Sequence, residues 1–211
     1  AGFTPGTGTF DTPIADTNLY LIQNLTSNTE YDVYVYRVCD DADTSNPSWV
    51  VTFNTACDPF TIPFSESFET WTASSSLSAT IDPCWNRMSS YSSSSAYPYV
   101  SSSYALDGSK SVYMYSSNTS YSILSLPSFT TPIDSLQISF GLYKTNTSYT
   151  HEIHVGVMTD PNDISTFVPI DTVAASALNT WEMFEIPLNS YTGTGGHIAL
   201  VSPNGAYSYP Y

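Results

Sequence analysis

The run His151-Glu152-Ile153-His154 is where this sequence comes nearest to catalytic chemistry. A helical zinc-protease site sets two histidines four residues apart so that both face one ion. Here they are three apart in a segment that alternates like a strand, which sends them to opposite faces. Zinc needs its ligands to converge on one point, so a zinc site is not expected. Glu66 and Glu69 invite comparison with a glycosidase acid and base, yet strand residues three apart also face opposite ways. No GxSxG nucleophile motif accompanies the abundant serine. The glycine runs GTGTF at 6–10 and GTGG at 193–196 lack the lysine or following helix of a phosphate site and read as hairpin turns. His197 is solitary and is expected to pack beside a strand. The chain is not expected to be an enzyme.

The elements that must position any binding residues are strands. Alternating or apolar runs at Leu19–Ile22, Ser111–Tyr115, Ser135–Tyr143, Glu152–Met158, Trp181–Ile186 and His197–Val201 are separated by Gly, Pro, Asn and Asp. No helical period interrupts them. Short strands with frequent turn signals predict an all-β sandwich or barrel. In Ser135–Tyr143 the residues Leu136, Ile138, Phe140 and Leu142 share one face, the mark of a half-buried strand. Residues 89–122 hold 15 serines but also seven tyrosines, which predicts loops and edge strands rather than a disordered linker. Near the start, Tyr31–Tyr36 alternates, a polar loop follows, and a second alternating run spans Trp49–Thr55. This pattern predicts an antiparallel hairpin. A boundary fits near Thr55–Pro59.

Composition narrows the partners. Four basic residues (Arg37, Arg87, Lys110, Lys144) stand against 19 acidic ones, for a formal charge of −15. Such a chain cannot release counterions from nucleic acid, and DNA, RNA and anionic membrane surfaces are disfavoured. Aromatic residues make up 15% of the chain and charged residues 11%, so a folded protein with a Ser, Thr, Asn and Tyr surface is expected. No apolar run approaches the roughly 18 residues that span a bilayer. Three cysteines permit one disulfide and one leftover thiol.

Leu25 followed six residues later by Tyr31 resembles the fibronectin type III pattern, in which a tyrosine at a corner bonds back to upstream backbone. GFTPGTGT at 2–9 is similar to the middle of such a module. FSESFETW at 64–71 and CWNRM at 84–88 resemble the MAM and cleaved-adhesin (choice-of-anchor) jelly-roll domains of secreted Bacteroidota surface proteins. The likeness continues through SILSLPSF at 122–129, VGVMTDPNDISTFVPIDTV at 155–173, TWEMFEIPL at 180–188 and GHIALVS at 196–202. It implies a partial fibronectin type III sandwich over residues 1–56, followed by a jelly-roll over residues 57–211 that lacks its closing strand. Missing strands would leave apolar faces on the sheet carrying Tyr31, Val33 and Val35, and unpaired backbone groups on His197–Val201. The sequence would then be an excerpt, completed by further residues of the same polypeptide or by an adjacent subunit.

The same resemblance implies the site residues. Calcium, which takes several hard oxygen ligands, would be held by Glu69 on the opening strand and by Asp107 in the LDGSKS turn. Cys57 precedes the Phe-Glu strand and Cys84 precedes Trp85, as in the MAM arrangement, which implies a Cys57–Cys84 disulfide. A strand partner for Cys39 near Trp49 would also leave Cys57 on the order of 25 Å away, beyond bridging distance. Tyr91, Tyr97, Tyr99 and Tyr104 lie in loops where jelly-rolls bind ligands, and rings of this kind stack on sugar faces. Ser135 and Thr172 follow aspartates in Asp-Ser/Thr-hydrophobe sequences similar to Bacteroidota O-glycosylation sites. Asn24, Asn118 and Asn146 head N-x-Ser/Thr sequons. The expected function is non-catalytic adhesion or carbohydrate binding by a secreted or cell-surface protein, with glycans or host-surface proteins as partners. Two alternatives remain: a repeat unit of an extracellular fibre or surface layer, with copies of itself as partner, or an accessory module of a large secreted protease or glycosidase.

Overall fold

The computed structural model describes residues 21–40, 43–76, 79–92 and 95–211. The glycine-rich segment at 2–9 and the first half of the run at Leu19–Ile22 lie outside them. Leu21 and Ile22 are not in a strand. The chain divides into two units, Ala1–Asp58 and Pro59–Tyr211.

The first unit is a hairpin. Strand β1 (Glu30–Val33) is followed by the short strands β2 (Val38–Asp40) and β3 (Asp43–Thr44), then by β4 (Val51–Asn54). β1 pairs antiparallel with β4, placing Tyr31 opposite Phe53, and the two rings stack at 6.0 Å. The Tyr31 hydroxyl accepts from the Thr26 N–H at 2.7 Å, the backbone bond that the corner pattern predicts. Between the strands the ladder continues through Ser48 N–H to the Val35 carbonyl and Ser45 N–H to the Arg37 carbonyl. Cys39 therefore belongs to β2, which pairs with β3. The expected partner near Trp49 is corrected, because the ladder runs on past Ser48 and Ser45 to the pairing of Asp40 with Asp43. This places Cys39 further along the hairpin from Cys57. Tyr31 and Val33 are half-buried, whereas Val35, Trp49 and Val51 are exposed, Trp49 at 94%.

The second unit is built from two layers. Strands β5 (Asn86–Ser89), β6 (Tyr99–Ser101), β7 (Ser111–Tyr113), β8 (Ser122–Ser125), β9 (Gln137–Tyr143), β10 (Glu152–Met158), β11 (Val168–Ala174), β12 (Trp181–Pro187) and β13 (His197–Ser202) follow in order. One sheet runs β11-β10-β13-β8-β5 and is antiparallel throughout. The other layer holds the hairpin β6–β7 and the antiparallel pair β9–β12, whose strands are separated in the chain by β10 and β11. The segment Tyr207–Tyr211 lies between these two strand pairs. It bonds Met114 and Ser116 beyond the end of β7 on one side, and Tyr143 of β9 on the other. The layer order is thus β6, β7, 207–211, β9, β12.

Period-2 alternation explains how the layers meet. Ile153, Val155 and Val157 of β10, Leu124 of β8 and Ile198 of β13 face Val100, Met114, Leu142 and Ile186 of the second layer in one core. Trp71 and Trp85 close one part of it, edge to face at 5.4 Å. The alternate residues Ile123, Met158, Ala199 and Val201 turn to the far side of the first sheet, where Tyr121, Ile164 and Phe167 cover them. Buried on both faces, β13 is central: it pairs with β10 and β8 at once. The expectation that His197–Val201 carries unpaired backbone is overturned, since two strands flank it.

One further correction concerns FSESFETW. It is bend and turn rather than an opening strand, with Phe68 at φ 64°. Glu66 accepts the Phe68 N–H, and this local bond holds the chain out of extended pairing.

Candidate functional site

The outer face of the second layer is tyrosine. Tyr99 and Tyr113 are cross-strand partners, and their neighbours Val100 and Val112 pack toward the core, so both rings point outward. Tyr209 and Tyr211 alternate with buried Ser208 and Pro210. Tyr143 of β9 sits opposite Trp181 of β12, with Leu142 turned inward.

These rings form one chain of contacts. Tyr91 meets Tyr115 at 4.6 Å, Tyr115 meets Tyr97 at 4.9 Å, and Tyr97 meets Tyr99 at 5.5 Å. Tyr99 meets Tyr113 at 5.2 Å and Tyr113 meets Tyr211 at 4.5 Å. Tyr104 then lies 4.9 Å from Tyr211 and 4.6 Å from Tyr143, and Trp181 ends the chain 5.3 Å beyond Tyr143. Tyr209 branches from Tyr115 to Tyr149, which touches Tyr207. Tyr91, Tyr104, Tyr149 and Tyr207 are exposed, and most of the rest are half-buried by one another.

All four tyrosines singled out by sequence thus fall in one assembly. Sequence reasoning missed Tyr113, Tyr115, Tyr143, Tyr209, Tyr211 and Trp181. A signal was available, because Tyr-x-Tyr occurs at 97–99, at 113–115 and twice in 207–211. In extended chain this spacing puts both rings on one face.

Packing raises the phenol pKa values. Burial, then the neighbouring Tyr211 and Tyr97, pushes Tyr99 up to about 12. Burial is also the leading cause for Tyr113, Tyr115, Tyr209 and Tyr211, all shifted upward. An unfolded tyrosine ionises near about 10. The stability these phenols contribute is therefore fully present below that value and is lost as pH rises through the folded values. Alkaline titration should show a cooperative loss of β-sheet circular dichroism above about pH 10, with phenolate absorbance rising in the same step. Smooth ionisation with the fold intact would contradict this.

The carboxylates serve turns. One Glu69 oxygen accepts the N–H groups of Ser109 and Lys110, each at 2.8 Å, and the other accepts the Ser109 hydroxyl at 2.7 Å. These bonds, led by the Ser109 N–H, hold the carboxyl below its usual range. Lys110 returns its ammonium to the carbonyls of Glu69 and Trp71. Gly108 allows the clamp to close. Its φ is +70°, and a Cβ there would come 2.7 Å from the Glu69 carboxylate. Glu182 repeats the arrangement with the N–H groups of Ser176 and Ala177 and the Ser176 hydroxyl. A calcium ion at Glu69 would have to displace three donors. Among the described residues no three His, Cys, Asp or Glu side chains gather to hold a metal. The residues at Glu69 and Asp107 do not fit calcium, which needs about six to eight oxygens.

The histidines are engaged separately. His151 is buried, with Nδ1 on the Tyr149 carbonyl and Nε2 accepting the Thr145 N–H. Burial is the first cause lowering its pKa. His154, on the opposite face, bonds Glu152 at 2.8 Å. His197 bonds the Leu126 carbonyl. Cys57 and Cys84 are disulfide-bonded. Ser135 and Thr172 are both exposed, Thr172 on the edge strand β11.

No family model matches the chain, and no curated protein matches it. Two solved structures do. One is the K2 cleaved adhesin domain of Lys-gingipain, with 13% identity and a TM-score of 0.50, covering 70% of this chain and 95% of that one. The other comes from work on promiscuous carbohydrate-binding modules of the β-sandwich superfamily, with 12% identity and a TM-score of 0.43, covering 87% of this chain and 71% of that one. What the chain shares with the cleaved adhesin domain is its fold, an all-β sandwich.

Proposed function

We propose that the second unit is a non-catalytic adhesion module that binds carbohydrate through its tyrosine face. The observation that carries this reading is the unbroken ring assembly on the outside of a sheet, where a folded protein usually places polar side chains. Pyranose rings present C–H faces that pack on aromatic rings, while their hydroxyls need donors and acceptors nearby. The phenol hydroxyls supply them. The protein belongs outside the cell in this reading, consistent with a disulfide and an acidic, hydroxyl-rich surface. No helix among the described residues is long and apolar enough to cross a membrane.

The test is a glycan array followed by titration of the best ligand. Tyr104 is exposed and stacks on Tyr143 at the centre of the assembly. Tyr104→Ala should weaken binding about 3- to 10-fold, the worth of one aromatic contact. Its melting temperature should fall by several degrees, since Tyr104 also packs on Tyr143 and Tyr211, but unfolding should remain one sharp transition. Unchanged affinity in the Ala variant, or no glycan bound by the parent, would refute the proposal.

A further inference from the structure

Building on that reading, we infer that the ligand is an uncharged, extended glycan lying across the strands, and that acidic glycans are turned away. In a chain of formal charge −15, residues 89–106, 111–133 and 198–211 contain no Asp, Glu, Lys or Arg. These segments supply every ring of the main contact chain except Tyr143 and Trp181. The segments that carry these rings therefore add no charge of their own to a strongly acidic protein, and the carboxylates of Asp107 and Glu185 stand beyond the strip in neighbouring segments.

A carboxylate or sulfate on a sugar is recognised by a guanidinium or ammonium that can form charge-assisted bonds. Of the four basic residues, Arg37 belongs to the first unit. Arg87 donates to the carbonyls of Ala79 and Pro98. Lys110 is committed to Glu69 and Trp71. Lys144 lies where its charge lowers the pKa values of Glu182 and His151. An acidic glycan would meet the net repulsion of a chain of formal charge −15, relieved at most at one end of the strip by Lys144 beside Tyr143. A cationic ligand would find no carboxylate within these segments to pair with.

The rings from Tyr99 to Trp181 cross β6, β7, the segment 207–211, β9 and β12. Five strands at about 4.8 Å spacing make a strip on the order of 20 Å, perpendicular to the strands. Successive centroids stand 4.5 to 5.3 Å apart along it. A strip of this kind suits several consecutive sugar units in an extended chain.

Affinity electrophoresis and calorimetry of the intact protein against four soluble polymers test this: a β-glucan, a mannan, polygalacturonate and chitosan. At least one neutral polymer should bind, with affinity changing less than about twofold between low and high salt, since no screened charge pair contributes. Its oligosaccharides should bind more tightly with length, then level off. Tyr99→Ala and Trp181→Ala, at opposite ends of the strip, should each weaken the long oligosaccharide and leave the shortest binder less affected. Preferential binding of polygalacturonate or chitosan would overturn the inference while leaving carbohydrate binding intact. Length-independent affinity would overturn the extended-chain geometry. Failure to bind any polysaccharide would overturn the underlying reading itself. The polymer and salt comparisons use unaltered protein, so poor folding of a variant does not blunt them.

Discussion

Ending the chain at Ala206 should abolish cooperative folding of the second unit. Residues 207–211 connect the strand pairs β6–β7 and β9–β12, which share no other ladder among the described residues. Pro210 accepts the Met114 N–H, Ser208 exchanges two bonds with Ser116, and Tyr211 exchanges two with Tyr143. Thr150 donates to the Tyr207 carbonyl and Glu152 to the Ser208 hydroxyl. Each bond contributes about 1 kcal/mol net, and buried partners left unsatisfied cost more. Tyr209 and Tyr211 also pack on Tyr113, Tyr115, Tyr104 and Tyr149, at about 1 kcal/mol per ring pair beyond area burial. The sum rivals the whole stability of an ordinary domain, about 5 to 15 kcal/mol. Thermal unfolding of the shortened protein should lack a sharp transition, whereas Tyr207→Ala, which touches only Tyr149 among the rings, should retain one. A shortened protein melting within a few degrees of the parent would show that the two strand pairs close the layer without this segment.

Gly156→Ala should be the most damaging single-methyl change in the first sheet. Gly156 lies at a register shift in β10, opposite Pro169 of β11. A Cβ there would overlap the Val168 carbonyl oxygen and come 2.6 Å from the Phe167 ring. Backbone cannot yield as a side-chain tip can, so β11 would have to move away. Overpacking of this kind costs about 3 kcal/mol, a fall in melting temperature of roughly 6–12 °C for a unit of this size. Gly196→Ala is the matched control. Nothing lies within 4 Å of its Cβ position, and its effect should stay within about 0.5 kcal/mol. Equal melting temperatures for the two variants would rule out the steric account.

The way these predictions arise separates what is local from what is not. Strands β9, β10, β12 and β13 were legible because their alternation is enforced by the core they face. The tyrosine corner at Tyr31 was legible because both partners lie within six residues. The opposite faces of His151 and His154 followed from strand periodicity alone. Glu69, by contrast, was misplaced on a strand. Its role depends on Ser109 and Lys110, about forty positions away, and no local pattern encodes that meeting. The expectation of an open edge at His197–Val201 failed for the same reason, since strand neighbours are chosen by long-range pairing.

The tyrosine face divides along the same line. By itself the sequence determined that Tyr113 with Tyr115, and Tyr209 with Tyr211, share a side wherever the chain is extended, whereas Tyr97 lies in a bend before β6 and outside that rule. It also determined that the surrounding segments carry no charge. Only the tertiary structure decided that Tyr97–Tyr99, Tyr113–Tyr115, Tyr209–Tyr211, Tyr143 and Trp181 come from neighbouring strands and merge into one strip. That outcome rests on the order of strands in the second layer and on the seating of 207–211 between β7 and β9. Strand order is set by how two sheets bury their apolar faces together, a property of the whole core that no single segment carries.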